Sequence, residues 1–163
     1  MRTAEDDFKK WFVNSLEPLR EDPNAGFIFA LVAFPLLERY LRRKSGCKEG
    51  HNLRDQDLTH LGMVFPELLQ REREFWNCYR NGLLHHVAFP KAKRNPNTGA
   101  WCALTPSGFS GHAESPIYFN KELGGFVLSP VAFFDAVKEM ILADFAAFQG
   151  DNLFTQYTWP SAL

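Results

Sequence analysis

Apolar positions along the chain recur mostly at three and four residues, with a shorter region in which they alternate, so helices dominate the expected architecture. Between Ala4 and Leu19 the stripe Phe8, Trp11, Phe12, Ser15 and Leu19 follows an acidic first turn, which predicts an amphipathic helix. Glu21-Asp22-Pro23-Asn24-Ala25-Gly26 reads as a turn. A second helix is expected from about Asn24 to Lys44 and is apolar nearly all round as far as Leu37. That pattern predicts burial, either at the centre of a bundle or at a subunit interface. Pro35 inside it should kink it or remove the bond to Leu31, and Ser45-Gly46 should end it. After a polar connector, Asp55 or Asp57 can cap a short helix that runs to about Val64. Pro66 suits the first turn of a long helix, Pro66 to Val87, whose apolar positions are Leu68, Leu69, Phe75, Trp76, Tyr79, Leu83 and Val87. Pro90 stops it.

The segment 91–128 changes character. It is rich in Gly, Pro, Asn and Ser, and it carries β-like runs at Trp101 to Thr105, Ile117 to Asn120 and Phe126 to Leu128. A small hairpin or meander packed on the helices is the expectation. Ser129-Pro130 then reads as an N-cap and a first-turn proline. The last helix, within residues 130–149, repeats Phe134, Val137, Ile141, Phe145 and Phe148. Gly150 closes it, and a tail follows. The expected whole is one mainly α domain, 1–163, with a loop and β-hairpin insertion at 91–128 before the C-terminal helix.

Composition supports a packed core without staples. Apolar residues make up 45% of the 163, and sixteen are Phe. A chain this long buries roughly 70% of its unfolded surface, so no disulfide or structural metal is required. Cys47, Cys78 and Cys102 are widely spaced with no CxxC pair, which reads as reduced thiols in a cytoplasmic protein. No cofactor and no metal site are expected. His51, His60 and His112 are scattered, and isolated histidines seldom make a metal centre. Met1 to Lys10 lacks the apolar core of a secretory signal, and the longest apolar run, Gly26 to Leu37, is too short to span a bilayer. A membrane role is not expected.

Net charge is −1, but its distribution is uneven. Glu38 to Arg54 holds six basic residues against two acids, and Gln70 to Arg94 holds the same. Two basic segments on an acidic body can focus a field toward a polyanion, although such clusters are ordinarily solvated helix faces. Aromatic residues including Trp11, Trp76, Trp101 and Trp159 are better explained by core packing than by base stacking. No Walker loop, GxGxxG turn or nucleophile elbow is present, and Ser107 to His112 lacks the context of a serine hydrolase.

The most informative stretch is Arg80-Asn81-Gly82-Leu83-Leu84-His85. In an α-helix Asn81 and His85 share a face, Arg80 lies one position away, and its long arm can reach toward the imidazole. Gly82 can relax the turn between them. The set offers a permanently charged forked donor, an amide and a near-neutral titrating group. Those groups suit holding a phosphodiester and moving a proton beside it. His86 competes with His85, because adjacent helical side chains diverge by about 100°. Glu38 and Arg42 sit at i, i+4 on the second helix; with Arg39 they can tune the site or line an RNA path, or they can form an exposed helix end whose cations suit the C-terminal dipole.

With the aromatic residues before it (Phe75, Trp76, Tyr79) and Pro90 after it, the string Tyr79 to His85 resembles the signature of the HEPN superfamily, an Arg, a polar residue, three intervening residues and a His late in a helical bundle. The apolar helix leading into Glu38-Arg39 is similar too. The resemblance covers roughly residues 4 to 90. It implies a four- to five-helix bundle that forms a homodimer with both motifs in a shared cleft. For catalytic members it implies a metal-independent endoribonuclease, such as a toxin or defence component. His85 would activate the RNA 2′-hydroxyl, Arg80 would stabilise the phosphoryl oxygens, and Asn81 would orient the phosphate or the imidazole. For other members it implies a non-catalytic module that binds nucleotide, RNA or protein, with an antitoxin or nucleotidyltransferase as partner. The segment 91–128 has no place in the common bundle.

Overall fold

In a computed structural model, which describes residues 3–48, 51–81, 101–105, 115–121 and 124–149, Thr3 starts the first helix. Its hydroxyl accepts the Asp6 N–H at 3.1 Å, and the Asp6 carboxylate accepts the Thr3 N–H at 2.8 Å, a reciprocal capping box. Helix α1 (Ala4–Phe8) does not continue as one α-helix to Leu19. It passes into a π-helical stretch, Lys9–Asn14, and then a 3-10 turn, Glu17–Leu19. Pro18 accounts for the end of the π stretch at Asn14: it has no N–H to give the Asn14 carbonyl, and its ring crowds that position. Arg20 then fixes the segment to the C-terminal part of the chain, donating to both Asp135 oxygens at 2.9 and 2.6 Å.

Helix α2 (Gly26–Ser45) runs without interruption through Pro35. Pro35 is exposed, so the Leu31 carbonyl deprived of its donor lies toward the solvent side. Gly46, at φ 68°, ends the helix in the left-handed region, and the Cys47 N–H turns back onto the Arg42 carbonyl at 2.9 Å. Phe29, Ala30, Ala33, Phe34, Leu37 and Leu41 are fully buried, which places α2 at the centre of the core. Ile28 remains 42% exposed on the opposite side.

Helix α3 (Asp55–Val64) is capped by neither of the expected aspartates. Arg54 occupies the cap position, and Asp57, at the third helical residue, accepts its N–H at 2.7 Å. A buried carboxylate reaching back from the third helical residue satisfies the N–H of the cap residue itself, the half of a capping box that the N3 side chain supplies.

The long helix does not begin at Pro66. A 3-10 turn, Pro66–Leu68, is followed by Gln70 in the left-handed region at φ 67°, and only then by α4 (Glu72–Trp76). Leu68 is buried, whereas Leu69 is 65% exposed and leaves the expected stripe. The break lets the Leu69 and Glu72 side chains close over Gly62 of α3, where a β-carbon would meet the Glu72 carboxylate. From Asn77 to Asn81 the chain is π-helical. The positions Leu83 and Val87, the stop at Pro90, the 107–112 stretch with His112, the 150–163 tail and Trp159 lie outside the described residues.

All three short strands form where alternation placed them: β1 (Trp101–Leu104), β2 (Ile117–Asn120) and β3 (Gly125–Leu128). Their order is β1-β3-β2, with β2 antiparallel and β1 parallel to β3. The hairpin alternative therefore holds for β2–β3, and a meander is excluded because β1 adjoins β3 instead of β2. Gly124, at φ 64°, closes the hairpin by donating to the Asn120 carbonyl at 2.9 Å.

The last helix divides at Asp144. Helix α5 (Pro130–Ala143) and helix α6 (Phe145–Gln149) are separated by that residue at φ −137°. Its carboxylate accepts from Lys44 at 2.6 Å, so the bend coincides with a tie to the end of α2. Phe134, Val137, Ile141 and Phe148 are fully buried, as their spacing required. The described architecture is thus mainly helical with a small three-stranded sheet, and no helix among the described residues is long and apolar enough to cross a membrane.

One buried side chain joins helices to sheet. The Tyr79 ring stacks on Phe34 of α2 at 6.0 Å and 10°. Its hydroxyl, with no solvent access, lies 2.7 Å from the Ala103 carbonyl of β1 and 2.9 Å from the Phe126 carbonyl of β3. Removing that hydroxyl leaves a carbonyl in the interior without its donor. Tyr79→Phe is expected to cost about 1–3 kcal/mol in denaturant unfolding with little change in helical circular dichroism. A loss within about 0.3 kcal/mol would show that the contact contributes nothing net.

Candidate functional site

The Phe34–Tyr79 stack sets the register of everything polar beside it. Glu38 lies one turn beyond Phe34 on α2, and Arg80 directly follows Tyr79, so packing the two rings parallel and offset brings a carboxylate and a guanidinium to the same level. Arg80 Nε donates to Glu38 Oε2 at 3.1 Å, and Arg80 Nη2 lies a longer 3.5 Å from Oε1. Arg42, one further turn along α2, takes the other oxygen: its Nη2 and Nε donate to Oε1 at 2.7 and 3.1 Å. The remaining Arg42 nitrogen, Nη1, donates to the His51 carbonyl at 2.6 Å and so fastens the α2–α3 connector.

This cluster is partly screened. The Glu38 side chain is 14% exposed, and those of Arg80 and Arg42 are 25% and 22% exposed. Burial is the largest influence on the Glu38 carboxyl and pushes its pKa up, but hydrogen bonds from Arg80 and Arg42 outweigh it and hold the group below the ordinary carboxylate range.

Of the expected site residues, Arg80, Glu38 and Arg42 are brought together. Arg39 is not among them: it turns the other way, donating to the Gln149 carbonyl at 2.8 Å with its guanidinium over the Phe148 ring. Asn81 closes the π-helical stretch, with only its backbone described. His85 and His86 lie outside the described residues. Arg42 also lies in the last turn of α2 beside Arg43 and Lys44, where cations suit the helix dipole, so the structural and the site-tuning readings of this helix end apply to the same residue.

The described parts of the two basic segments favour the solvated-face reading over a focused field. Arg54 pairs with Asp57, Arg71 with Glu74, Arg73 with Asp55, and Lys44 with Asp144. Much of the positive charge in the described parts of those segments is therefore compensated locally. Arg71 also stacks its guanidinium 3.8 Å from the centre of the Phe119 ring. Trp76 is 5% exposed and belongs to the core, in line with the packing expectation. Among the described residues no group of three or more His, Cys, Asp or Glu side chains is placed to hold a metal ion.

The Glu38–Arg80 contact was not legible from the sequence. The i, i+4 relation of Glu38 and Arg42 was visible, but their junction with a residue 42 positions away depends on the ring stack.

Because the folded state holds Glu38 ionised more strongly than the unfolded chain does, its contribution is present above the unfolded pKa and is lost as pH falls through the lower folded value. Glu38→Gln is therefore expected to destabilise the protein by about 1–3 kcal/mol near neutral pH. The difference from wild type should shrink in unfolding titrations taken from about pH 7 to about pH 3. A difference independent of pH would mean that the carboxylate charge is not what matters.

No family model, no curated protein and no solved structure matches the chain.

Proposed function

We propose that the chain is a HEPN-like helical domain that works as a dimeric, metal-independent endoribonuclease, cleaving RNA by attack of the 2′-hydroxyl on the adjacent phosphate. The observation that carries this reading is the held, partly exposed guanidinium of Arg80, one residue before Asn81 and five before His85. A phosphate-binding arginine needs a fixed direction and some access to solvent, and Glu38 supplies the first while a quarter-exposed side chain supplies the second.

In this mechanism His85 takes the proton from the 2′-hydroxyl as its oxygen attacks phosphorus. Arg80 stabilises the charge on the non-bridging oxygens, and Asn81 orients the phosphate or the imidazole. The P–O5′ bond breaks with proton return to the leaving oxygen, yielding a 2′,3′-cyclic phosphate and a 5′-hydroxyl. The second copy supplies its own Arg80 and His85 to a common cleft, and the setting proposed for that activity is a toxin or defence component with an antitoxin as partner.

One observation favours the other reading, a module that binds nucleotide, RNA or a protein such as a nucleotidyltransferase without cutting. Arg80 already has a carboxylate partner, so a phosphate must share it with Glu38. The experiment separates the two. RNA incubated with the protein in EDTA should be cut, and His85→Ala or Arg80→Ala should each lower the rate by about 10²–10⁴. Cleavage that persists in His85→Ala, or that disappears with EDTA in the wild type, defeats the mechanism. Tight RNA binding with no cleavage in any form selects the binding module, and a monomeric mass in sedimentation removes the shared cleft.

A further inference from the structure

We infer that the cleft beside the break between α3 and α4 is a nucleobase site suited to guanine, with Arg71 as its stacking platform and Glu72 as the group that reads the base edge. The inference deepens the RNA reading by naming a base, and it rests on that reading only for where the base comes from.

The cleft has a volume of about 410 Å³ and is lined by Asp55, Gln70, Arg71, Glu72, Arg73 and Glu74. That volume lies within the range of small-molecule sites and accommodates a nucleoside. Its two arginines are held differently. Arg73 is engaged along its edge, donating to Asp55 and to the Leu53 carbonyl, both at 2.6 Å. Arg71 is held by its face: Cζ lies 3.8 Å from the centre of the Phe119 ring of β2, and Nη1 donates to Glu74 at 3.0 Å. At that separation the guanidinium lies flat on the ring, because an edge-on one would drive its hydrogens into the ring face. Phe119 is backed in turn by the fully buried Phe126 of β3, with ring centres 4.8 Å apart. One face of the Arg71 guanidinium is thus covered by a ring rooted in the core. The side chain is nevertheless 43% exposed, which leaves the opposite face for a second planar group. Bases stack on arginine planes in this way.

The edge of such a base would meet Glu72. Asp55 and Glu74 are each paired with an arginine, whereas Glu72 has no hydrogen-bond or ion-pair partner among the described residues. Its carboxylate is placed by packing, against Gly62 of α3, where a β-carbon would collide with it. A half-buried carboxylate fixed in that way keeps its lone pairs for a ligand and can only accept. Guanine is the base whose pairing edge donates from two adjacent positions, N1–H and the N2 amine. Adenine and cytosine present a ring acceptor there, and uracil a single N–H between two carbonyls. Gln70 offers an amide donor for the guanine O6. It is held at φ 67°, a conformation that glycine would adopt with less strain, and strain held in the wall of a cleft points to a ligand contact.

Neutral nucleosides test the site without engaging phosphate chemistry at Arg80. Guanosine, inosine and adenosine are titrated into the intact protein, with the Arg71 Nε–H signal followed by NMR. Guanosine should shift it saturably. Inosine, which lacks the N2 amine, should bind roughly tenfold more weakly, and adenosine more weakly still. Arg71→Lys keeps the charge and removes the plane, and it should weaken guanosine binding roughly tenfold, read from the nucleoside's own signals. Glu72→Gln replaces two acceptors by an acceptor and a donor, the pattern that pairs with adenine, so adenosine should now bind better than guanosine. Loss of a negative charge alone does not invert the order of two uncharged ligands. Thermal unfolding establishes that each variant is folded at the titration temperature, and the wild-type order of the three nucleosides is a test that needs no variant.

An Arg71 signal unmoved by guanosine, equal binding of guanosine and adenosine, or a Glu72→Gln protein that keeps the wild-type order overturns the inference. Two short single-stranded RNAs, one with a guanine among uridines and one with adenine in its place, identify the source of the base. Preference for the first assigns the site to RNA, and guanosine binding without that preference assigns it to a free nucleoside or nucleotide. The nuclease reading stands or falls apart from this: ordered nucleoside binding with no RNA cleavage keeps the site and removes the reaction. RNA cleavage with no binding of guanosine does the reverse.

Discussion

The packing of Tyr79 against Phe34 is the constraint on which the rest of this structure depends. A tyrosine with no solvent access has to pair its hydroxyl, and here the partners are carbonyls of two different strands. The same side chain therefore fastens the π-helical turn to the centre of α2 through its ring and to the sheet through its oxygen. Phe75, one turn earlier, reinforces the arrangement with edge contacts to Phe126 of β3 and Phe133 of α5. Helices and sheet thus share one apolar core instead of meeting as separate layers. That explains how the Gly- and Pro-rich segment, which has no evident helical partner in sequence, contributes buried residues at Ile117, Phe126 and Leu128.

Much of this was legible in the pattern of apolar residues, and the failures have common physical causes. The stripe of α5 and α6 and the burial of α2 followed from spacing, because a fully apolar face has only one stable place to go. The three strands were found because alternation survives even in short runs. What periodicity did not reveal was where a helix changes its winding or stops. Pro18 splits the N-terminal segment, Gln70 breaks the expected long helix and Asp144 bends the last one, and only the first of these carries a strong local signal. Gln70 adopts a left-handed conformation that glycine or asparagine would normally announce. Asp144 bends at the point where a lysine of α2 reaches it. Both are tertiary effects that override local propensity.

The candidate site divides along the same line. Residue chemistry singled out Arg80, Glu38 and Arg42, and the helical spacing of the last two was evident. Their convergence was not, because it requires knowing that Phe34 and Tyr79 pack ring against ring. Arg39, adjacent to Glu38 and chemically equal to Arg42, points instead at Gln149 and Phe148, since neighbouring helical positions diverge by about 100°. Sequence proximity to a functional residue is a poor guide to membership of its site; a four-residue offset along the same helix is a better one.

A partly buried arginine that already holds a carboxylate poses a question about any anion it is meant to bind. If the pair were isolated, a phosphate would have to replace Glu38, and the protein would then hold an unpaired buried carboxylate at considerable cost. A second guanidinium on the same carboxylate removes that conflict, because Glu38 keeps a partner whether or not Arg80 turns toward a ligand. The Glu38 carboxylate is therefore compensated from two directions, by Arg42 of its own helix and by Arg80 of the π-helical turn, so loss of either guanidinium leaves the partly buried charge with one cation still in place.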